Sequence, residues 1–461
     1  MRWDGGLRRD ALLWRREVVG ADREVLLLDG SRTPYVNLDN AATTPVLRHV
    51  QKALREAEET YASVRGHAGY NSRRTLDLYE RARQQVLQFV GAQDGTRIAI
   101  FTENTADGVH KLAAKFQLRP GDVVVLSEME HHANLLPWRG RAELAYLPLD
   151  GEGRIDLSAL PELMERYRGR VRLVAISGAS NVTGYLSDVH LAAEIAHRHG
   201  APIFVDAAQR APHRRIRMGE PGDPRAIDFL AFSAHKIYAP YGVGALIGPK
   251  EFFAQGAPDL KGDSPFNFVS LDDVLWADPP AREEAGSPNV LGTIAFGAAL
   301  HELEAIGLER LEEREQQLLG HLLSRLQEVP GLEVLGGAST RDRIGAISFV
   351  VHGVPPALLA AALAWEWGIG VGAGRFSANP YVMRLLGLSS REVRRIRDQV
   401  VQGERWALPG AVRASLGMYN LEEEIDRLQQ AVLAVRLGEF RGRYAVEGRS
   451  GEYLPEGIRE A

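Results

Sequence analysis

The chain has 461 residues, 45% of them apolar, and a formal net charge of -5 from 55 basic and 60 acidic side chains. That length and apolar content point to a soluble globular chain of two to three domains, and the intermixed charges leave no basic face for nucleic acid or an anionic membrane. There is no cysteine, which excludes disulfides, thiolate metal sites and every thiol nucleophile.

Residues 1–10 are charged and lack a secretory core, and no later run approaches the ~18 apolar residues of a membrane span. A cytoplasmic protein is expected. Residues 1–35 read as a charged, weakly patterned arm joining the smaller of two domains. The segment Leu38-Asp39-Asn40-Ala41-Ala42-Thr43-Thr44-Pro45 then leads into a helix over 47–61. Apolar, β-rich runs at 97–102, 122–127, 171–177, 202–205, 228–232 and 242–248 follow, interleaved with helical stretches at 105–116, 161–167 and 187–199. This alternation predicts an α/β domain over 36–293, with a mainly parallel sheet covered on both faces. In such sheets ligands sit beyond the carboxyl ends of the strands. A long helix over 294–327, strands near 334–335 and 346–351, and helices at 356–367 and 421–436 predict a smaller α+β domain over 294–437. The tail, 438–461, is rich in Arg, Gly and Glu and is expected to be loosely ordered.

The polar motifs fall where the strands end. The central one is Ser233-Ala234-His235-Lys236, and Lys236 is one of only six lysines. A lysine at a strand end by itself reads as a solvated side chain. Here Ser233 and His235 can donate to a phosphate, and the amine can add to an aldehyde; pyridoxal phosphate (PLP) carries both groups. Asp206 ends another strand in Val205-Asp206-Ala207-Ala208-Gln209. It is either a cap at a turn or the partner of a pyridinium nitrogen, which a buried carboxylate would suit. Asn181-Val182-Thr183-Gly184 is either a loop turn or a source of an amide for the ring's phenolic oxygen. Thr102-Glu103-Asn104-Thr105-Ala106 opens a helix whose first N–H groups suit a phosphate, which an ordinary N-cap does not preclude. The pair His131-His132 is either structural, a metal site, or the source of an imidazole stacked on a flat ring.

Together with Ala285-Gly286-Ser287-Pro288-Asn289 and the segment 413–420, which reads RASLGMYN, these motifs in this order resemble the fold-type I PLP enzymes. The resemblance is specifically to the class V aminotransferase and cysteine desulfurase family, and it spans 36–436. It implies a mostly parallel seven-stranded sheet with flanking helices plus a smaller α+β domain, PLP as cofactor and no metal. It makes Lys236 the Schiff-base lysine, Asp206 the partner of the pyridine nitrogen and His131 the stacking ring. Gln209 and Asn181 would face the ring oxygen, and Thr105, Ala106, Ser233 and His235 the phosphate. Ser287 would reach the phosphate of a neighbouring subunit, implying a homodimer with shared active sites. Asn40, Ala41 and Arg413 would hold an amino-acid substrate, with Arg413 as the fork for its α-carboxylate.

The sequence departs from the family at the loop Gly374-Arg375-Phe376-Ser377-Ala378-Asn379-Pro380, where desulfurases carry their sulfur-accepting cysteine. Ser377 takes that place, and a hydroxyl cannot form a persulfide. Arg375 either takes on a carboxylate or solvates the loop, the latter being favoured. Ala106 replaces a common threonine, Arg65-Gly66-His67 is a rearranged family loop, and 385–409 is an extra stretch. The expected reactions are therefore C–S β-elimination or transamination at an amino acid's α-carbon. Epimerisation, sulfur transfer to an external thiol and a non-catalytic scaffold are the alternatives.

Overall fold

Strands with little internal polarity are stable only where both faces are covered, and the chain covers them. The structure, a computed structural model, describes residues 5–65, 68–263, 266–403, 408–447 and 451–456. Its seven-stranded sheet has the order Arg97–Thr102, Gly244–Pro249, Phe229–Ser233, Ile203–Asp206, Val171–Ser177, Val123–Ser127, Glu143–Leu147. Gly244–Pro249 runs antiparallel to both neighbours, and the remaining pairings are parallel. The edge strand Glu143–Leu147 was not foreseen. It exposes Glu143 and Tyr146 and buries Ala145 and Leu147, so it presents no continuous apolar run.

Register brings the strand ends into line. Ser177 lies opposite Asp206, Asp206 opposite Ala231, and Gly244 opposite both Thr102 and Ser233. The segments that follow Thr102, Ser127, Ser177, Asp206 and Ser233 therefore emerge along one edge. Tyr70–Phe89, a helix that its mixed charges hid from the sequence reading, packs with Val290–Ile306 on one face of the sheet. Thr105–Lys115 and Trp138 cover the other.

The single helix expected over 294–327 is two helices. Val290–Ile306 stops at Gly307, whose φ is 93°, and Leu308–Gln327 departs at 77° to it. A left-handed residue cannot continue a right-handed helix. The first helix belongs to the core of the large sheet; the second carries Leu318, Leu322 and Leu326 into a separate core. The chain thus changes core along the second helix rather than at 294. That second core lies under an antiparallel sheet ordered Leu332–Val334, Ala346–Val351, Ala411–Ser415, Gly372–Gly374.

Three further segments differ from expectation. The N-terminal arm holds a helix, Gly5–Glu17, that buries Leu7, Ala11 and Trp14 at helical spacing and packs against Leu308–Gln327. Arg15 fixes it by donating to Glu424 at 2.7 Å. The stretch 385–409 contains a helix, Ser390–Val401, started by a Ser389/Glu392 capping box and burying only Ile396. In the tail, Tyr444–Val446 pairs with Tyr453–Pro455. Glu366 orders this hairpin by accepting from Arg441 N, Gly442 N and the Tyr444 hydroxyl at 2.8–2.9 Å. Among the described residues no single helix is long and apolar enough to cross a membrane.

Gly244 is where the sheet edge meets the turn at Asn104. A Cβ there would lie 2.7 Å from the Asn104 carbonyl carbon and 3.0 Å from Phe232 O. Gly244→Ala is expected to destabilise the protein by about 1–3 kcal/mol, the usual cost of overpacking. Urea unfolding of the two proteins measures it, and an unchanged midpoint would show that this contact can relax freely.

Candidate active site

The lysine's position is set by the turn that carries it and by a distant loop that clasps the turn. Ser233 ends its strand, and Ala234–Lys236 forms a single 3-10 turn. Thr44 N donates to His235 O at 2.8 Å, and Thr44 Oγ1 accepts from Tyr238 N at 2.7 Å. The Ala41–Thr44 motif thus anchors the lysine loop, a role that sequence reasoning missed. Burial, helped by the charge of Arg413, pulls the Lys236 amine down to about 8, against the opposing pull of Asp206.

Asp206 is 5% exposed. Its Oδ1 accepts from Ala208 N at 3.0 Å, and among the described residues no other donor reaches the carboxylate. Burial pushes it up, with the Ala208 N–H and the Lys236 charge working the other way. A carboxylate this enclosed with one neutral donor calls for a cationic partner. His131 accepts from Ala133 N through Nδ1 at 3.0 Å, which leaves its ring proton on Nε2. Burial first, then Lys236, His132 and Arg413, push it to about 3, so the ring is neutral at physiological pH. His235 is pushed to about 4 by burial and by Lys236.

These groups face one cavity of about 540 Å³. Thr105, Ala106, Ser233 and His235 form its lining along the sheet edge. The Thr105 hydroxyl lies 2.6 Å from Ser233 Oγ, which also accepts from Thr105 N at 2.7 Å. Asn104 caps the helix through Asp107 N, while Ala106 N, in the first turn, has no intrahelical acceptor. Hydroxyls, an imidazole and a helix start make a seat that suits a phosphate. Opposite stands Arg413, 4% exposed and centred in the smaller sheet between Ser348 and Gly372. It donates to Asp39 Oδ1 at 2.7 Å and to Asn181 O at 3.1 Å, and lies 4.6 Å from the centre of the Phe376 ring. Its Nε has no partner.

Gln209 also lines the cavity; it donates to Ala41 O at 2.7 Å, and its Oε1 is buried without a partner. The Asn181 amide, expected to face a ring oxygen, instead donates to Phe376 O at 2.7 Å. Two expected residues do not line the cavity. Asn40 is 3% exposed and its amide is engaged with Ser415 O and the Tyr419 hydroxyl, so it braces the loop rather than meeting a substrate. Ser287 is exposed on the surface. Asp39, Phe376 and Gly372 were not singled out from sequence, yet all three meet at Arg413.

The loop with Ser377 is held in an uncommon conformation. Phe376 and Ser377 have φ of 51° and 53°, left-handed values that cost most side chains energy. Three bonds hold it: Asn181 to Phe376 O, His132 N to Ser377 O at 2.6 Å, and Asn379 N to His132 Nε2 at 3.2 Å. Ser377 lines the cavity. Arg375 beside it is half-buried, with no acidic partner among the described residues, and burial lowers it. Arg65 donates to the carbonyls of Asp263, Glu284 and Gly286; Gly66 and His67 lie outside the described residues.

A buried amine, a carboxylate awaiting a cation, a neutral ring and a phosphate seat around one space define an α/β enzyme of the PLP-dependent class. The aminotransferase class-V family model matches residues 36–428. A probable cysteine desulfurase of Halalkalibacterium halodurans is 35% identical over 410 residues, 87% of this chain and 93% of that protein. The cysteine desulfurase of Haloferax volcanii is 32% identical over 440 residues, 93% and 96% of the two chains. The solved structure of the Escherichia coli cysteine desulfurase CsdA (S-sulfonic acid) matches with a TM-score of 0.76 at 30% identity, over 94% of this chain and 99% of that one. An apo cysteine desulfurase from Thermococcus onnurineus matches at 0.77 and 31%, over 88% and 95%. The chain belongs to the class V aminotransferase family, cysteine desulfurase-like, and is a PLP-dependent enzyme.

The lowered lysine has a direct readout. In cofactor-free protein, modification of Lys236 by an amine reagent, followed by mass spectrometry, should be half-maximal near pH 8. Asp206→Asn removes the charge that holds the proton on, and should move that midpoint lower. A midpoint near the ordinary lysine value of about 10.4 would contradict the burial described here.

Proposed function

We propose that this enzyme is a C–S lyase, cleaving the bond between Cβ and sulfur in cysteine or a cysteine conjugate. The observation that carries this reading is Ser377 facing the cavity in a chain with no cysteine. The relatives are named cysteine desulfurases, which points to a sulfur-bearing amino acid. Without a thiol to receive the sulfur, the sulfur itself must leave.

Bound PLP supplies an electron sink conjugated to the substrate's α-carbon. The residues of this chain supply the rest. Asp206 would pair with the ring nitrogen as a cation, and neutral His131 would offer the ring a flat face without adding a charge. Thr105, Ala106 N, Ser233 and His235 hold the phosphate, and Arg413 takes the α-carboxylate in exchange for Asp39. Lys236 removes the α-proton, for which an amine near pH 8 is well matched. The Cβ–S bond then breaks, sulfur leaves with the electron pair and takes a proton, and the released 2-aminoacrylate reacts with water to give pyruvate and ammonia. Ser287 is proposed to reach the phosphate of a second copy of the chain, making the active form a homodimer.

Two measurements test this reading. Cysteine or S-alkyl cysteine should yield pyruvate and ammonia in equal amounts, and Lys236→Ala should lower the rate by about 10²–10⁴, the usual worth of a general base. Stoichiometric pyridoxamine phosphate without pyruvate would make the enzyme an aminotransferase instead. Ser377→Cys returns a thiol to the loop, and should produce a protein-bound persulfide and alanine from cysteine at the expense of pyruvate.

A further inference from the structure

Lys236 also borders a second space, distinct from the cavity described above. It is an internal pocket of about 30 Å³, also lined by Thr44, Tyr238, His213, Arg314 and Glu315. That is room for a water, which needs about 10–15 Å³ on this measure and a few polar partners. The partners are there. Arg314 is 1% exposed; its terminal nitrogens bond Glu422 at 2.6 and 2.9 Å, but its Nε has no partner among the described residues. The Tyr238 hydroxyl accepts from Met418 N at 2.9 Å, and its own proton has no acceptor among the described residues. Buried donors of this kind are ordinarily satisfied by ordered water.

The far wall leads toward solvent. His213 Nδ1 lies 2.6 Å from Glu315 Oε1, with the His213 side chain 16% exposed. Burial pushes Glu315 up, but His213, Arg214 and the Gly345 N–H outweigh it and hold it at about 2. Glu315 therefore stays ionised beside the partly exposed imidazole.

We propose that this pocket holds ordered water that carries protons between the Lys236 amine and His213, giving the catalytic lysine an exchange route to solvent that bypasses the substrate cavity. After Lys236 has taken the α-proton, the ammonium gives one proton to pocket water. Once His213 has released its own proton to solvent, the water passes one on to the imidazole, so the amine is regenerated and nothing is oxidised or reduced. On the cavity side Lys236 faces Asp206 and Arg413; neither serves as a carrier, since Asp206 is committed to the ring nitrogen and a guanidinium does not titrate in this range. The inference rests on the reading of Lys236 as the base that removes the α-proton.

The test uses the PLP-loaded enzyme. A high-resolution crystal structure should show water within hydrogen-bond distance of Arg314 Nε and the Tyr238 hydroxyl; a dry pocket overturns the proposal. L-alanine deuterated at Cα has no leaving group, so mass spectrometry can follow whether the removed deuteron returns to carbon or is lost to solvent. Wild type should lose nearly all label at each abstraction. His213→Gln, which breaks the relay, and Leu318→Phe, which fills the pocket from its apolar wall, should each raise internal return several-fold, with unfolding midpoints confirming that both variants fold. Return at the wild-type level in folded variants overturns the relay. Exchange that persists in Lys236→Ala overturns instead the assignment of the base on which the relay rests.

Discussion

The site depends on two opposite charges held in a place that penalises both. Burial works against the charge on both Asp206 and Lys236; Asp206 is held by the Ala208 N–H and then by Lys236, and Lys236 by Asp206. On the proposed reading, a ring with a basic nitrogen at one end and an aldehyde at the other would offset both costs together, giving the carboxylate a cation and the amine a reaction partner. Asp206 paired with Ala231, on the strand that leads to Lys236, fixes this separation through the sheet itself. The catalytic distance is thus a property of strand register, which can change only in whole-residue steps.

Arg413 shows a related economy in the smaller sheet. Its guanidinium is paired with Asp39 and stacked by Phe376, so no bare cation waits in the cavity. On the proposed reading, an incoming carboxylate would replace one that is already there, with little rearrangement of the arginine. The Ser377 loop adds to this arrangement, since the amide of Asn181 and the backbone of His132 hold it in left-handed geometry. The loop that carries Ser377 is therefore held, not slack.

Much of this was legible in the sequence because the motifs are local. Ser233 to Lys236, Asp206 to Gln209 and Asn104 to Ala106 each follow an apolar run, and a strand end translates directly into a position at the crevice. What could not be read depends on contacts between distant segments. Nothing near Asp39 or Phe376 announces that they meet Arg413, 374 residues away in the case of Asp39. Asn40 sits in a recognisable motif, yet its amide turns toward Ser415 and Tyr419. The bend at Gly307 was missed because helical periodicity continues on both sides of it. The tail was misjudged on composition, since one carboxylate, Glu366, supplies the order that its apolar content does not.

The two halves of the site meet across a seam of buried apolar side chains, Ala41 and Ala179 from one side and Ile344 and Ala346 from the other. Arg413 is locked in mid-strand and Lys236 in its clasped turn, so the reach from amine to guanidinium works as a caliper whose setting is the thickness of that seam. Alanines bring the jaws as close as a backbone allows, and a methyl group added there would open them. The width of the crevice is therefore written partly in alanines of its own wall.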